Sequence, residues 1–174
     1  MLLQDSLDKI VSAGMKVLHI GNGSSDLPEQ MRSHYPTIMQ LATDISPIVV
    51  EQMQRRCQKI DNCEFEVMDA TCMEATDDGE YDLVIEKGTF DAMRTAGQGT
   101  IDALQMLSEC HRVLKPDIGI LLLISSQNRE EELASCRFNV VVEEVMMVSR
   151  LRYCRIPPQT YFAHHCIHAK SDSI

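Results

Sequence analysis

Four short stretches carry residue types able to do chemistry, and each follows an apolar run. The first is Gly21-Asn22-Gly23-Ser24-Ser25. Two glycines let a backbone approach a ligand closely, and a helix starting just beyond them favours negative charge at its N-terminus. The second is Asp44, where a carboxylate at a strand end can accept both hydroxyls of a ribose. The third is Asp69, which can take a hydrogen bond from an adenine amino group, or leave the neighbouring backbone to read the base edge. The fourth is Glu86-Lys87-Gly88-Thr89-Phe90-Asp91, an acid–base cluster that can face both a cofactor and a substrate. Singly, each also reads as an ordinary turn or a solvated loop. Together, the glycines and Asp44 point to a bound nucleoside.

The elements that would position these residues alternate. Apolar runs at Lys16–Ile20, Ile38–Ala42, Glu64–Met68, Tyr81–Ile85 and Ile118–Ile124 read as strands. Helix signals fall between them. Ser24 or Ser25 can cap a helix with Pro28 in its first turn, and Ser46 can cap one with Pro47 at its first position. A longer helix is expected over Thr100–Leu114 and a short one over Arg129–Cys136. Ile118–Ile124 is nearly all apolar, as a strand covered on both faces requires. Val140–Val148 and Thr160–Ala169 read as two successive strands at the end of the chain. The expectation is a single α/β domain over residues 1–174. It is a Rossmann-like, doubly wound, mostly parallel seven-stranded sheet with an antiparallel C-terminal hairpin. Ligands of such sheets sit beyond the carboxyl ends of the strands, where all four stretches fall.

Composition narrows the partners. The 174 residues are 44% hydrophobic and 24% charged, enough for one core without staples. The net charge of −10 opposes long-range attraction to nucleic acid or anionic membranes and suits a basic, lysine-bearing protein partner. Seven scattered cysteines without a Cys-x-x-Cys pair read as reduced thiols, and no secretory leader or membrane span is evident, so a cytoplasmic protein is expected. Alternate residues His164, Cys166 and His168 share one strand face, but no complementary ligand set completes a zinc site, so no metal is expected. Arg150, Arg152 and Arg155 read as a solvated loop, and Met146-Met147 as part core, part surface.

The motifs resemble those of class I S-adenosylmethionine (SAM)-dependent methyltransferases. Val17-Leu18-His19-Ile20-Gly21-Asn22-Gly23 is similar to that class's first motif and Thr43-Asp44-Ile45-Ser46 to its second. Cys110-His111-Arg112-Val113-Leu114-Lys115-Pro116 is similar to its approach to the fifth strand. Asp82 to Ala92, with Glu86-Lys87-Gly88-Thr89-Phe90-Asp91 at its centre, resembles the methyltransferase-like group that includes lysine methyltransferases of elongation factor 1-alpha and citrate synthase. The resemblance implies SAM as cofactor and protein lysine N-methylation as activity. It implies that Gly21, Asn22 and Gly23 lie against the methionine part, that Asp44 and Ile45 hold the ribose side, and that Asp69 and Ala70 sit at the adenine. Glu86 and Lys87 would lie beside the methyl group, with Glu86 holding the target amine and Asp91 as a second candidate. Two other readings are carried. Only fifteen residues precede Lys16, which suggests a domain that works by binding a partner without catalysis. An NAD-type oxidoreductase is disfavoured, because Asp26 stands where the dinucleotide fingerprint wants its third glycine and would repel a pyrophosphate.

Overall fold

The computed structural model describes residues 3–95, 99–125, 131, 133, 138–146 and 163–171, with side chains through 125 and at 131 and 133. In chain order the elements are α1 Leu3–Ile10, β1 Lys16–Ile20, α2 Leu27–His34, β2 Met39–Asp44, α3 Pro47–Arg56, β3 Cys63–Val67, β4 Leu83–Lys87, α4 Thr89–Thr95, α5 Gly99–Val113, β5 Ile120–Ser125, β6 Phe138–Met146 and β7 Ala163–Ser171.

Parallel pairing joins five strands in the order β3-β2-β1-β4-β5. The Rossmann-like parallel sheet agrees with the expectation, and the last two of its strands add out of chain order. β7 pairs antiparallel with β5, and β6 lies outside β7, antiparallel to it. β6 therefore runs in the same sense as β5 and must be reached by a crossover, which leaves a slot that β7 fills on its way back. The connection over 147–162, with the arginines at 150, 152 and 155, lies outside the described residues. So does Met147. The helix expected over 129–136 falls mostly outside them, and His164, Cys166 and His168 lie on β7, where only the backbone is described.

Alternation along the strands explains the two packed layers. On one face Leu18, Ile20, Val84, Leu121 and Leu123 pack against Phe90 of α4 and Ala103, Met106, Leu107 and Cys110 of α5. On the other face Val17, Leu83, Ile85, Leu122 and Ile124 pack against Leu7 of α1 and Leu27 and Met31 of α2. Both faces of the central strands are covered, so apolar residues dominate them, with His19, Glu86 and Ser125 as buried polar exceptions. No helix among the described residues is long and apolar enough to cross a membrane.

Two helices go beyond the sequence reading. α1 has few apolar residues but presents Leu7 to the core, and its Gln4 and Asp8 meet the Tyr35 hydroxyl. α4 starts where Glu86 to Asp91 reads as a loop. Its seven residues could not hold a helix in isolation, and Phe90, fully buried, contributes about 2–3 kcal/mol by leaving water.

Candidate functional site

At the carboxyl ends of β1 to β4 lies a cavity of about 490 Å³. Its floor is the turn after β1, where Gly21 (φ +56°) and Gly23 (φ +55°) both take the left-handed conformation that favours glycine. A methyl group on Gly21 would come within 2.0 Å of the Thr89 hydroxyl, whereas one on Gly23 would meet no protein atom. The Thr89 hydroxyl donates to the carbonyls of Ile20 (3.3 Å) and Gly21 (3.2 Å), which joins the first turn to the start of α4.

Asp44 is the latch between two turns. Its Oδ2 accepts from the Gly23 amide at 2.8 Å and its Oδ1 from the Ser46 amide at 2.9 Å. Each carboxylate oxygen has a second acceptor position left for a ligand hydroxyl. Ile45, 68% exposed, stands beside it as an apolar surface in the cavity wall. The opposite wall is Met68, Asp69 and Ala70. Asp69 turns its Oδ1 back onto the amide and hydroxyl of Thr71, at 2.8 and 2.7 Å, and so fixes the bend that carries Ala70.

The cavity therefore gathers Gly21, Asn22, Gly23, Asp44, Ile45, Asp69, Ala70 and Lys87 from the sequence reading. It adds Ser24, Ser25, Met68, Gly88, Thr89, Ala92 and Met93. Gly88 and Thr89 stand within the quoted motif, and Met93 follows Thr89 by one helical turn, so a helix starting at Thr89 would have signalled it. Glu86 and Asp91 are not in the wall. Glu86 is fully buried, and its Oε1 accepts from the Phe90 amide at 2.9 Å, so it braces the first turn of α4. Its Oε2 has no hydrogen-bond partner among the described residues. Burial pushes this carboxyl up to about 7, against the amides of Phe90 and Thr89, with the Asp91 charge adding to the rise. Asp91 is half-buried and accepts from the Ser125 hydroxyl at the end of β5, 2.7 Å away.

Two further groups shape the first turn. His19 is buried, and burial holds its ring down at about 4, so it is neutral. Its Nε2 meets the Gln40 carbonyl oxygen at 2.9 Å, while the Gln40 amide donates to the Pro28 carbonyl at 3.1 Å. Arg56, at the end of α3, donates to the carbonyls of Ser24 (3.0 Å) and Ser25 (2.8 Å) and pairs with Glu29. Neither partner set is near in sequence, so neither role shows in a motif.

The chemistry of the lining suits a nucleoside without phosphates. Among the lining residues Lys87 is the one basic side chain, and Asp26 lies exposed at the head of α2, where it would oppose a pyrophosphate. A carboxylate with spare acceptor positions, an apolar flank and an open space above Gly23 fit SAM instead. The fold and the site define a SAM-binding α/β methyltransferase.

Comparison with known proteins agrees. The sequence model of the methyltransferase domain family matches residues 11–166, and the chain belongs to that family. It is 38% identical over 113 residues to the eEF1A lysine and N-terminal methyltransferase of Xenopus laevis, covering 62% of this chain and 16% of that protein. It is 33% identical over 110 residues to EEF1A lysine methyltransferase 4 of Mus musculus, covering 58% of this chain and 42% of that protein. The chain thus spans less than half the length of these relatives. In fold it is similar to a SAM-dependent methyltransferase from Aquifex aeolicus, with a TM-score of 0.69 at 20% identity, covering 95% of this chain and 87% of that one.

Proposed function

We propose that this protein is a single methyltransferase domain over residues 1–174 that transfers the methyl group of SAM to a lysine side chain of another protein. The observation that carries the reading is the Asp44 latch. One carboxylate holds both turns of the cavity and still has acceptor positions for two neighbouring hydroxyls. Gly21, Asn22 and Gly23 would lie along the methionine part, Ile45 against the sugar and base, and Met68, Asp69 and Ala70 around the adenine. Lys87 would pair with the cofactor's carboxylate. When bound, SAM supplies a methyl group on a sulfonium that carries its own leaving group, so the protein's task is placement and exclusion of water.

The acceptor lysine enters with a positive charge and must lose a proton before it can react. Asp91 provides the negative potential that draws it in. Asp91 reaches solvent and is held by Ser125, so it meets the ammonium first. Glu86, fully buried behind the cavity wall, braces the first turn of α4 and so holds Thr89 in place. The relatives' names support a protein lysine as acceptor, and the net charge of −10 suits a basic partner surface. The unbridged thiols of Cys57, Cys63, Cys72 and Cys110 agree with a cytoplasmic setting. We further read β7 and β6 as the antiparallel pair that closes the sheet beside the substrate side.

Calorimetric titration of SAM and S-adenosylhomocysteine tests the cofactor half. The intact chain should bind both saturably, and Asp44→Ala should weaken binding by at least about tenfold, the loss of charge-assisted hydrogen bonds. Methylation of a lysine-bearing protein with labelled SAM tests the other half. Binding without transfer to any protein lysine would favour a domain that works by partner binding.

A further inference from the structure

We infer that Arg112, acting with Glu109, is a positioning residue that sets the adenine-side wall of the cofactor cavity from outside it. The inference rests on the placement of SAM proposed above. The segment between β3 and β4 contains no helix or strand, yet its first residues, Met68, Asp69 and Ala70, form one whole side of the cavity. Such a segment needs an external scaffold, and Arg112 on the last turn of α5 supplies it.

The guanidinium has five N–H donors in a rigid fork, and five partners are found for them. Nη2 donates to the Met73 carbonyl at 2.9 Å and to Glu109 Oε2 at 2.8 Å. Nη1 donates to the Thr76 carbonyl at 2.9 Å and to Asp78 Oδ1 at 2.7 Å. Nε donates to Glu109 Oε1 at 2.9 Å. Glu109 Oε2 also accepts from the Met73 amide at 2.7 Å, so the pair grips both backbone polar groups of Met73. The Met73 side chain is fully buried in the core that also takes up Ala70. From Met73 the chain leads to Cys72, whose N–H donates to the Asp69 carbonyl (3.0 Å) at the cavity wall, while on the far side the Thr76 N–H donates to the Met73 carbonyl (3.0 Å). Behind it, the Gly79 amide donates to the Arg112 carbonyl at 2.9 Å, so the helix end and the segment are stitched at backbone level too. The Arg112 side chain is only 30% exposed and does not itself line the cavity. A surface ion pair would contribute little; a fork that satisfies two backbone carbonyls and a bidentate carboxylate organises a loop.

The test compares Arg112→Met, Arg112→Lys and Glu109→Gln with the unaltered chain. Two ligands are titrated: S-adenosylhomocysteine and 5′-methylthioadenosine, which keeps the adenosine but lacks the amino acid. Arg112→Met should weaken both alike, by about tenfold or more, because only the adenosine side is disturbed. Arg112→Lys should restore little, since one ammonium cannot span the partners of the fork. In the ligand-free protein, amide hydrogen exchange at Cys72, Met73 and Thr76 should quicken while exchange in β1 and β4 stays as it was. A folded Arg112→Met that binds both ligands within about twofold of the unaltered chain overturns the inference. If Arg112→Met does not fold, Glu109→Gln, which keeps the guanidinium and weakens its partner, carries the same comparison with the same two outcomes. Failure of the unaltered chain to bind either ligand counts against the cofactor placement instead, and unchanged exchange at Met73 and Thr76 in Arg112→Lys then overturns the scaffold on its own.

Discussion

At the scale of single residues, the two glycines of the first turn have different reasons to be glycine. Both have positive φ, so any side chain costs about 1–2 kcal/mol in backbone strain. At Gly21 a methyl group would also collide with the Thr89 hydroxyl, so Gly21→Ala should add an overpacking cost of about 1–3 kcal/mol and lower the melting temperature clearly. At Gly23 the methyl group would point into open space. If that space belongs to the cofactor, Gly23→Ala should lose about tenfold or more in S-adenosylhomocysteine affinity, with no stability loss beyond the strain. Equal effects of the two variants on melting and on binding would contradict this division. The same turn shows why local chemistry is legible in the sequence. Glycines in a turn, a carboxylate at a strand end and an Asp-led bend are residue types with a local backbone role, so they mark Gly21, Asn22, Gly23, Asp44, Asp69 and Ala70, although the Asp44 bond to Gly23 reaches across 21 positions. Arg56 and Arg112 carry no such mark. Each bonds carbonyls some 30 to 40 positions distant in the chain, and on a helix such a residue reads as a solvated charge.

At the scale of elements, α3 shows sequence and structure in step. Ser46 caps it, accepting from the Val49 amide at 3.4 Å, and Pro47 opens it. The residue just before the cap carries Ile45 into the cavity, so the start of this helix is also an edge of the site. Ser46→Ala should cost about 1 kcal/mol, which for a chain of this size lowers the melting temperature by about 2–4 °C, with cofactor affinity little changed. A thermal scan of the variant beside the unaltered chain checks it. By contrast, α4 is not legible. Only Gly88 separates it from β4, and it holds together through the local Glu86 brace and the burial of Phe90, the latter a tertiary effect. Without α4, Glu86 reads as a residue of the cavity, whereas the helix draws it into the core. The central strands β1, β4 and β5 are legible because each is buried on both faces. The order of the last two is not, since alternation gives a strand its faces but not its neighbour.

At the scale of the whole molecule, two buried groups make opposite demands on pH. Burial raises the Glu86 carboxyl from 4.5 to about 7. In the interval between, the native state holds a proton that the unfolded chain has released, so stability falls as pH rises. Burial lowers His19 from 6.5 to about 4. In that interval the unfolded chain holds the extra proton, so stability rises with pH. The two windows overlap from about pH 4.5 to 6.5, where each slope is about 1.4 kcal/mol per pH unit and the signs cancel. Below that range the lowered carboxyl of Glu109, held down by Arg112, begins to cost stability as it protonates. The unaltered protein should therefore show a nearly flat stability between pH 4.5 and 6.5. Glu86→Gln keeps an acceptor for the Phe90 amide but removes the titration, which leaves the His19 slope alone. Its stability should then fall by up to about 3 kcal/mol on acidification from pH 6.5 to 4.5, or about 6–12 °C in melting temperature. Urea unfolding of both proteins at half-unit pH steps reads this directly. A variant as flat as its parent would mean that His19 takes up its proton in the native state, and hence that the buried His19–Gln40–Pro28 relay behind the first turn admits a charge.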